Sequence, residues 1–131
     1  MPARTILTID DGASTPVAHT YKPSGSQPGT AVLVESDGVP VGDKVITIDP
    51  KLASNGDRKV KLGNYQPVTV SETINGVARE TLERRSSSVT TFTFAKDSTV
   101  QERANVVAIL RNLLDDQAFV QKVLVDGEGI W

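Results

Sequence analysis

Ser88-Val89-Thr90-Thr91-Phe92-Thr93-Phe94, followed after Ala95, Lys96 and Asp97 by Ser98-Thr99-Val100-Gln101, is the stretch whose reading decides the fold. In the first segment Phe92 and Phe94 fall on one face and Thr91 and Thr93 on the other, the pattern of a half-buried strand. In the second, Val100, Ala104, Val107, Leu110 and Leu114 recur at helical spacing, with Ser98 as the expected cap and Gln101 three positions on, as in a capping box. A strand with two phenylalanines on one face needs an apolar cover, and the helix that follows it supplies one. That helix is expected from about Thr99 to Leu114. Asp115-Asp116 then interrupts the pattern and caps a short second helix carrying Phe119, Val120, Val123 and Leu124. Val125 to Trp131 reads as an irregular tail whose Ile130 and Trp131 are expected to dock on the domain or on a neighbour, because left free they would expose apolar surface.

Working backward, the clearest alternation in the chain runs along Lys44 to Lys51, with Ile46 and Ile48 on one face and Val45, Thr47, Asp49 and Lys51 on the other. Ala53-Ser54-Asn55-Gly56-Asp57 is a strong hairpin signal, since Asn and Gly tolerate the positive φ of tight turns. The returning strand, Arg58 to Tyr65, places Val60 and Leu62 on one face and Lys59, Lys61, Gly63 and Tyr65 on the other. If the two greasy faces coincide, Thr47, Asp49, Lys51, Lys59 and Lys61 share the far side as a local basic patch. Pro67 to Val70 continues or bends this strand, and Ser71 to Arg79, around Asn75-Gly76, reads as a long connecting hairpin loop. Glu80 to Ser87 is polar on both faces, with Glu83, Arg84 and Arg85 adjacent, so hydrophobicity does not set its register.

Nearer the start, Arg4 to Asp10 and Thr15 to Lys22 form a leading hairpin about a turn at Asp11 and Gly12. His19 in the return strand reads as a surface histidine with no ligand or base partner. Pro23 to Gly29 has loop chemistry and Ala31 to Glu35 is a brief strand. Asp37-Gly38 and Val41-Gly42-Asp43 are turn signals bracketing Val39 and Pro40.

A chain of 131 residues fits one domain, which buries roughly two-thirds of the surface its unfolded chain exposes. With 38% apolar residues, three Phe, two Tyr and one Trp, a second chain is expected to cover the remaining apolar faces. The absence of cysteine excludes disulfides and thiolate metal sites, and a single histidine leaves no basis for a histidine zinc site or a triad. No 18-residue apolar run or charged-then-apolar leader is seen, so no membrane partner is expected. The formal charge of −2 exerts no global pull on nucleic acid; any such binding must use the basic face. Asp10, Asp11, Asp115 and Asp116 fall in turn or capping contexts, so neither an enzyme nor a cofactor is implied.

The elements add up to an α+β fold in one domain spanning 1–131: an N-terminal β-hairpin (4–22), an antiparallel β-meander sheet (31–94) and two C-terminal α-helices (99–125). Two short helices are little cover for such a sheet. An intertwined dimer, with sheets joined edge to edge and each helix pair across the partner's sheet, would bury Ile46, Ile48, Val60, Leu62, Phe92 and Phe94 and leave the opposite face open to a ligand.

Three stretches carry a resemblance: Val34-Glu35-Ser36-Asp37-Gly38-Val39-Pro40-Val41-Gly42, then Thr47-Ile48-Asp49 through Ser54-Asn55-Gly56 to Lys59, and Asp97-Ser98-Thr99-Val100-Gln101-Glu102-Arg103. In order and spacing, and with the chain length and element order, they resemble the coat proteins of single-stranded RNA bacteriophages of the levivirus type over nearly the whole sequence. The resemblance implies a structural capsid protein whose homodimers assemble, in the bacterial host cytoplasm, into the icosahedral shell of a virion that packages single-stranded RNA. The sheet would face inward and the helices outward. It also implies binding of an RNA hairpin at the replicase start, repressing translation.

Carried over residue by residue, Thr47 matches a threonine that holds an unpaired adenine, and Lys51 and Lys59 match basic positions that meet the RNA backbone. Asp49, Lys61 and Thr91 complete the candidate RNA-binding set. Asp49 stands where a small hydroxyl residue is usual, Gly63 where a lysine lines the base pocket, and Ser87 or Ser88 where a tyrosine can stack; these departures imply a different hairpin or no specific one, with Lys61 supplying charge from a neighbouring position. The Ser71 to Arg79 loop looks like the loop that packs around shell symmetry axes. Against this stands the reading of Lys51, Lys59 and Lys61 as a solvated sheet face, with Arg84 and Arg85 as loop or interface charges and Tyr65 as a packing residue. The alternative class is a dimeric open-sheet RNA- or protein-binding module that forms no shells.

Overall fold

The computed structural model of the chain describes residues 6–25, 29–36, 38 and 40–129. The expected strand start at Arg4 and Thr5, loop residues 26–28, Asp37, Val39 and the docking of Ile130 and Trp131 lie outside the described residues. Six strands, β1 (Leu7–Asp10), β2 (Ala18–Ser24), β3 (Ala31–Glu35), β4 (Lys44–Leu52), β5 (Arg58–Ile74) and β6 (Val77–Phe94), lie in sequence order as an antiparallel meander. Two helices follow, α1 (Val100–Asp115) and α2 (Gln117–Phe119), the latter running on into a π-helical turn, Val120–Val125. The chain divides into two compact units, Met1–Thr93 with the sheet and Phe94–Trp131 with the helices.

Register follows the alternation. β4 and β5 pair from Val45 opposite Tyr65 to Leu52 opposite Arg58, which puts Ile46, Ile48, Val60 and Leu62 on one face. β3 adds Leu33 opposite Ile46 to this apolar face. Pro50 falls past the last β3 partner, Ala31 opposite Ile48, so its missing N–H takes nothing from the β3–β4 ladder, and Pro67 falls past the last β4 partner of β5.

The leading hairpin forms, but its connection spans Asp11 to Val17, and β2 runs on through Pro23 to Ser24 instead of giving way to loop. Asp11 explains the longer connection: its N–H donates to the Val17 carbonyl at 3.0 Å, and its Oδ1 accepts from the N–H groups of Ala13 (3.1 Å) and Val17 (3.0 Å). The hairpin also folds over the apolar face. The Tyr21 hydroxyl accepts from Gln66 Nε2 of β5 at 3.1 Å although β3 and β4 separate their strands, and Leu7, Ile9, His19 and Tyr21 line a depression with Ile46, Ile48 and Leu62. Part of the cover assigned to the helices by sequence is thus supplied by this hairpin. Among the described residues, Tyr21 (4% exposed) of the hairpin and Leu33 (3%) of β3 are the buried apolar side chains.

The long loop expected over Ser71 to Arg79 is instead strand to Ile74 and again from Val77. Only Asn75 (φ 53°) and Gly76 (φ 77°) turn the chain, a two-residue connection whose paired positive φ matches strand twist, so the β-branched residues around it stay paired. The undetermined segment Glu80 to Ser87 belongs to β6 throughout. The cap of α1 is Thr99, one residue later than expected: Thr99 Oγ1 accepts from the Glu102 N–H and the Glu102 carboxylate accepts from the Thr99 N–H, both at 3.2 Å. Ser98 is occupied elsewhere, donating to the Ala95 carbonyl at 2.6 Å and accepting from Arg103 Nη1. Asp116 caps α2 as expected, accepting from the Phe119 N–H. Helix α1 buries no residue; Val107 is 44% and Ile109 68% exposed.

His19 departs most from its expected role. It is 20% exposed and held at both ring nitrogens, Nε2 2.8 Å from Asp11 Oδ2 and Nδ1 2.7 Å from Glu35 Oε1. Only the imidazolium donates from both nitrogens; the neutral ring would turn a lone pair on a carboxylate. The hydrogen bonds it donates to Asp11 and Glu35 therefore raise the His19 pKa above its ordinary value, against partial desolvation. Backbone bonds from Val17 and the bond to His19 lower Asp11 to about 2. At Glu35 burial pushes upward, but His19, the Thr20 N–H and Lys44 outweigh it and hold the carboxyl below its ordinary value. The clamp joins the hairpin connection to β3.

Its pH dependence has two limbs. The His19 contribution is complete below the unfolded histidine value near 6.5 and is lost as pH rises through the raised folded value; the carboxylate contribution is complete above about 4 and is lost as pH falls, for Asp11 toward 2. Thermal melts from pH 3 to 9 are expected to show an alkaline limb in the parent chain that His19→Gln lacks. Parallel curves for the two proteins would refute the clamp.

Candidate nucleic-acid interface

The β4–β5 register sets Thr47 opposite Gly63, Asp49 opposite Lys61 and Lys51 opposite Lys59. Directly opposed residues share a face with their Cβ atoms about 5 Å apart, so five of the six candidate residues form one polar cluster. Thr91, exposed on β6, joins the same face by alternation, because Ser88 and Thr90 line the depression on the apolar side.

The three lysines are not equivalent. Lys51 Nζ lies 3.0 Å from Asp49 Oδ2, and Asp49 Oδ1 accepts from Thr30 Oγ1 at 3.0 Å. The Lys51 ammonium, with the Thr30 hydroxyl and against partial burial, holds the Asp49 carboxyl below its ordinary value. Asp49 therefore stays ionised and offsets Lys51. Exposed Lys59 and Lys61 carry most of the patch's positive charge.

Gly63 is buried because neighbouring side chains lie over it. A Cβ there would stand 2.9 Å from Tyr65 Cε2 and 3.2 Å from its hydroxyl, and would overlap Thr47 Oγ1. The position that the resemblance gives to a base-pocket lysine is thus closed to any side chain while Tyr65 keeps this pose. Tyr65 itself carries the Arg85 guanidinium 5.4 Å from its ring centroid, whereas Arg84 pairs with its neighbour Glu83 at 3.0 Å. Sequence reading separated Tyr65 from Arg85 because the register of Glu80 to Ser87 was not legible. Asp43, Val45, Tyr65 and Arg85 line one depression of about 370 Å³ with Pro40, Val41, Pro67 and Leu82. Among the described residues no group of three or more His, Cys, Asp or Glu is placed to hold a metal, and no helix is long and apolar enough to cross a membrane.

A family model described as levivirus coat protein matches residues 2–131. The capsid protein of Pseudomonas phage PRR1 is 32% identical over 126 residues, covering 95% of this chain and 96% of that protein. The virus-like particle of bacteriophage NT-214 gives a TM-score of 0.83 at 26% identity, over 96% of this chain and 97% of that one. The virus-like particle of bacteriophage ESE058 gives 0.86 at 17% identity, over 99% and 100%, a likeness of fold.

Proposed function

Because this chain belongs to the levivirus coat-protein family, whose members are structural proteins and not enzymes, we propose that its homodimers assemble into an icosahedral shell enclosing single-stranded RNA. The reading is carried by what one chain leaves uncovered: Val106, Val107, Ile109, Leu113 and Leu114 of α1 are exposed, while Ile46, Ile48 and Leu62 line an open depression on the sheet. Each is the apolar surface the other needs, and an intertwined dimer laying α1 and α2 on the partner's sheet satisfies both. The opposite face, with Thr47, Asp49, Lys51, Lys59, Lys61 and Thr91, then meets RNA. Each phosphate a lysine neutralises releases counterions, so many copies of a weak patch hold a genome without net basic charge on the chain.

Expression in bacteria tests this. Size exclusion, negative-stain microscopy and absorbance ratio are expected to show uniform spherical particles with nuclease-protected RNA. A stable dimer that never closes would replace the shell with the binding-module reading. Titration of dissociated dimers with single-stranded RNA should show log affinity falling linearly with log salt, and Lys59→Ala with Lys61→Ala should flatten that slope by about 0.7 per lysine. Asp49→Asn, which releases Lys51, should steepen it. Slopes unchanged in both variants would place the lysines outside the contact.

A further inference from the structure

We propose that Asn75, in the turn between β5 and β6, is a site of spontaneous covalent modification: the Gly76 nitrogen displaces its side-chain amide and water converts the residue to aspartate and isoaspartate. The chain's other Asn-Gly step, Asn55-Gly56, lags far behind. Nothing in this reaction depends on RNA or on a shell. In sequence the two steps are alike, since a glycine leaves its own nitrogen unhindered in both. Their surroundings differ. Asn55 Oδ1 accepts from the Asp57 N–H at 3.1 Å, Asn55 Nδ2 donates to Asp57 Oδ2 at 3.2 Å, and the Gly56 N–H donates to the Ala53 carbonyl at 3.0 Å. The nucleophile and the amide it must reach are both committed elsewhere. Among the described residues neither the Asn75 side chain nor the Gly76 N–H has a hydrogen-bond partner. Both residues are exposed, and nothing lies within 4 Å of the place a Gly76 Cβ would take.

The turn also favours ring closure. Asn75 (φ 53°) and Gly76 (φ 77°) both have positive φ, the type I′ pattern. Rotating the single peptide unit between them gives a type II′ turn, which keeps positive φ at Asn75 and needs negative φ at Gly76. Glycine adopts both, and the strands stay paired because each is a two-residue hairpin turn. The rotation brings the Gly76 nitrogen round to the Asn75 side chain, the near-attack geometry the step needs. Hydroxide takes the Gly76 N–H proton, the bond from that nitrogen to Asn75 Cγ forms, and the Cγ–Nδ2 bond breaks, Nδ2 leaving as ammonia with a proton from water. Water then opens the succinimide, at Cγ to give aspartate or at the main-chain carbonyl carbon to give isoaspartate. Asp-Gly suits the same turn; isoaspartate adds a methylene to the backbone and spoils it. Either product puts a negative charge at a tip flanked by exposed Ile74 and Val77.

The test ages the dissociated full chain in heavy-oxygen water and follows the peptide spanning each step by mass spectrometry, with the two acids separated by chromatography. The Asn75→Asp protein supplies the aspartate reference and is expected to fold as the parent does by circular dichroism. Asn75 is expected to convert with uptake of the label, faster at pH 9 than at pH 6 because the nitrogen must lose its proton. Asn55 should convert about tenfold more slowly, since the hydrogen bonds that hold it must break first. In the chain unfolded by guanidinium chloride the gap should close. Asn55 keeping pace with Asn75 in the folded protein overturns the proposal, as does an Asn75 that persists there while the unfolded chain converts it. A tenfold gap that survives unfolding overturns it too, by assigning the difference to the flanking residues.

Discussion

Val107→Asp on α1 is expected to yield a folded chain that forms no particles. Val107 is 44% exposed in the single chain, so a carboxylate there stays hydrated and the helix keeps its Thr99–Glu102 capping box. In the proposed dimer the same position lies against the partner's sheet, where an unpaired charge costs about 3 kcal/mol or more. Two-fold symmetry places that cost twice in each dimer. Size exclusion and microscopy should find no shells while circular dichroism reports parental helix content. Val107→Ala, which removes apolar area without adding charge, should still assemble. Particles from Val107→Asp in parental yield would show that this stripe of α1 faces solvent in the assembly.

Leu33→Ala is expected to give the largest loss of stability from a single side chain, about 2–4 kcal/mol. Leu33 is 3% exposed at the centre of β3, opposite Pro23 on one side and Ile46 on the other, where the hairpin turns over the sheet, so truncation leaves a cavity that paired strands cannot collapse into. Urea unfolding of dissociated protein, at one fixed concentration because association adds its own stability, should show a lower midpoint with an unchanged slope. Leu62→Ala provides the contrast. Leu62 is 37% exposed in the single chain, so its loss should cost clearly less in dissociated protein and approach the cost of Leu33→Ala once dimers form. Equal costs in dissociated protein would contradict a core centred on Tyr21 and Leu33.

The amino-acid sequence by itself determined which residues share a face and where the elements change type. Side chains alternate along a strand whatever surrounds it, so Thr47, Asp49 and Lys51 had to part from Ile46 and Ile48, and one antiparallel hairpin then sufficed to bring Lys59 and Lys61 beside them. The change of period after Phe94 marked the helix for the same local reason, to within one residue of its cap. Whatever depended on partners distant in sequence was decided only by tertiary structure. Nothing near His19 in the chain announces Glu35, which reaches it by the pairing of β2 with β3. Nothing in the polar run around Arg85 sets the register that lays it over Tyr65, because no apolar pattern distinguishes its two faces. The long loop expected at Ser71 to Arg79 became two paired strands because a two-residue turn lets backbone hydrogen bonds continue to its edge, an energy shared between strands that composition does not reveal. Local periodicity resides in consecutive residues and is legible there; charge pairs, stacked rings and buried contacts join residues that become neighbours only when the chain folds.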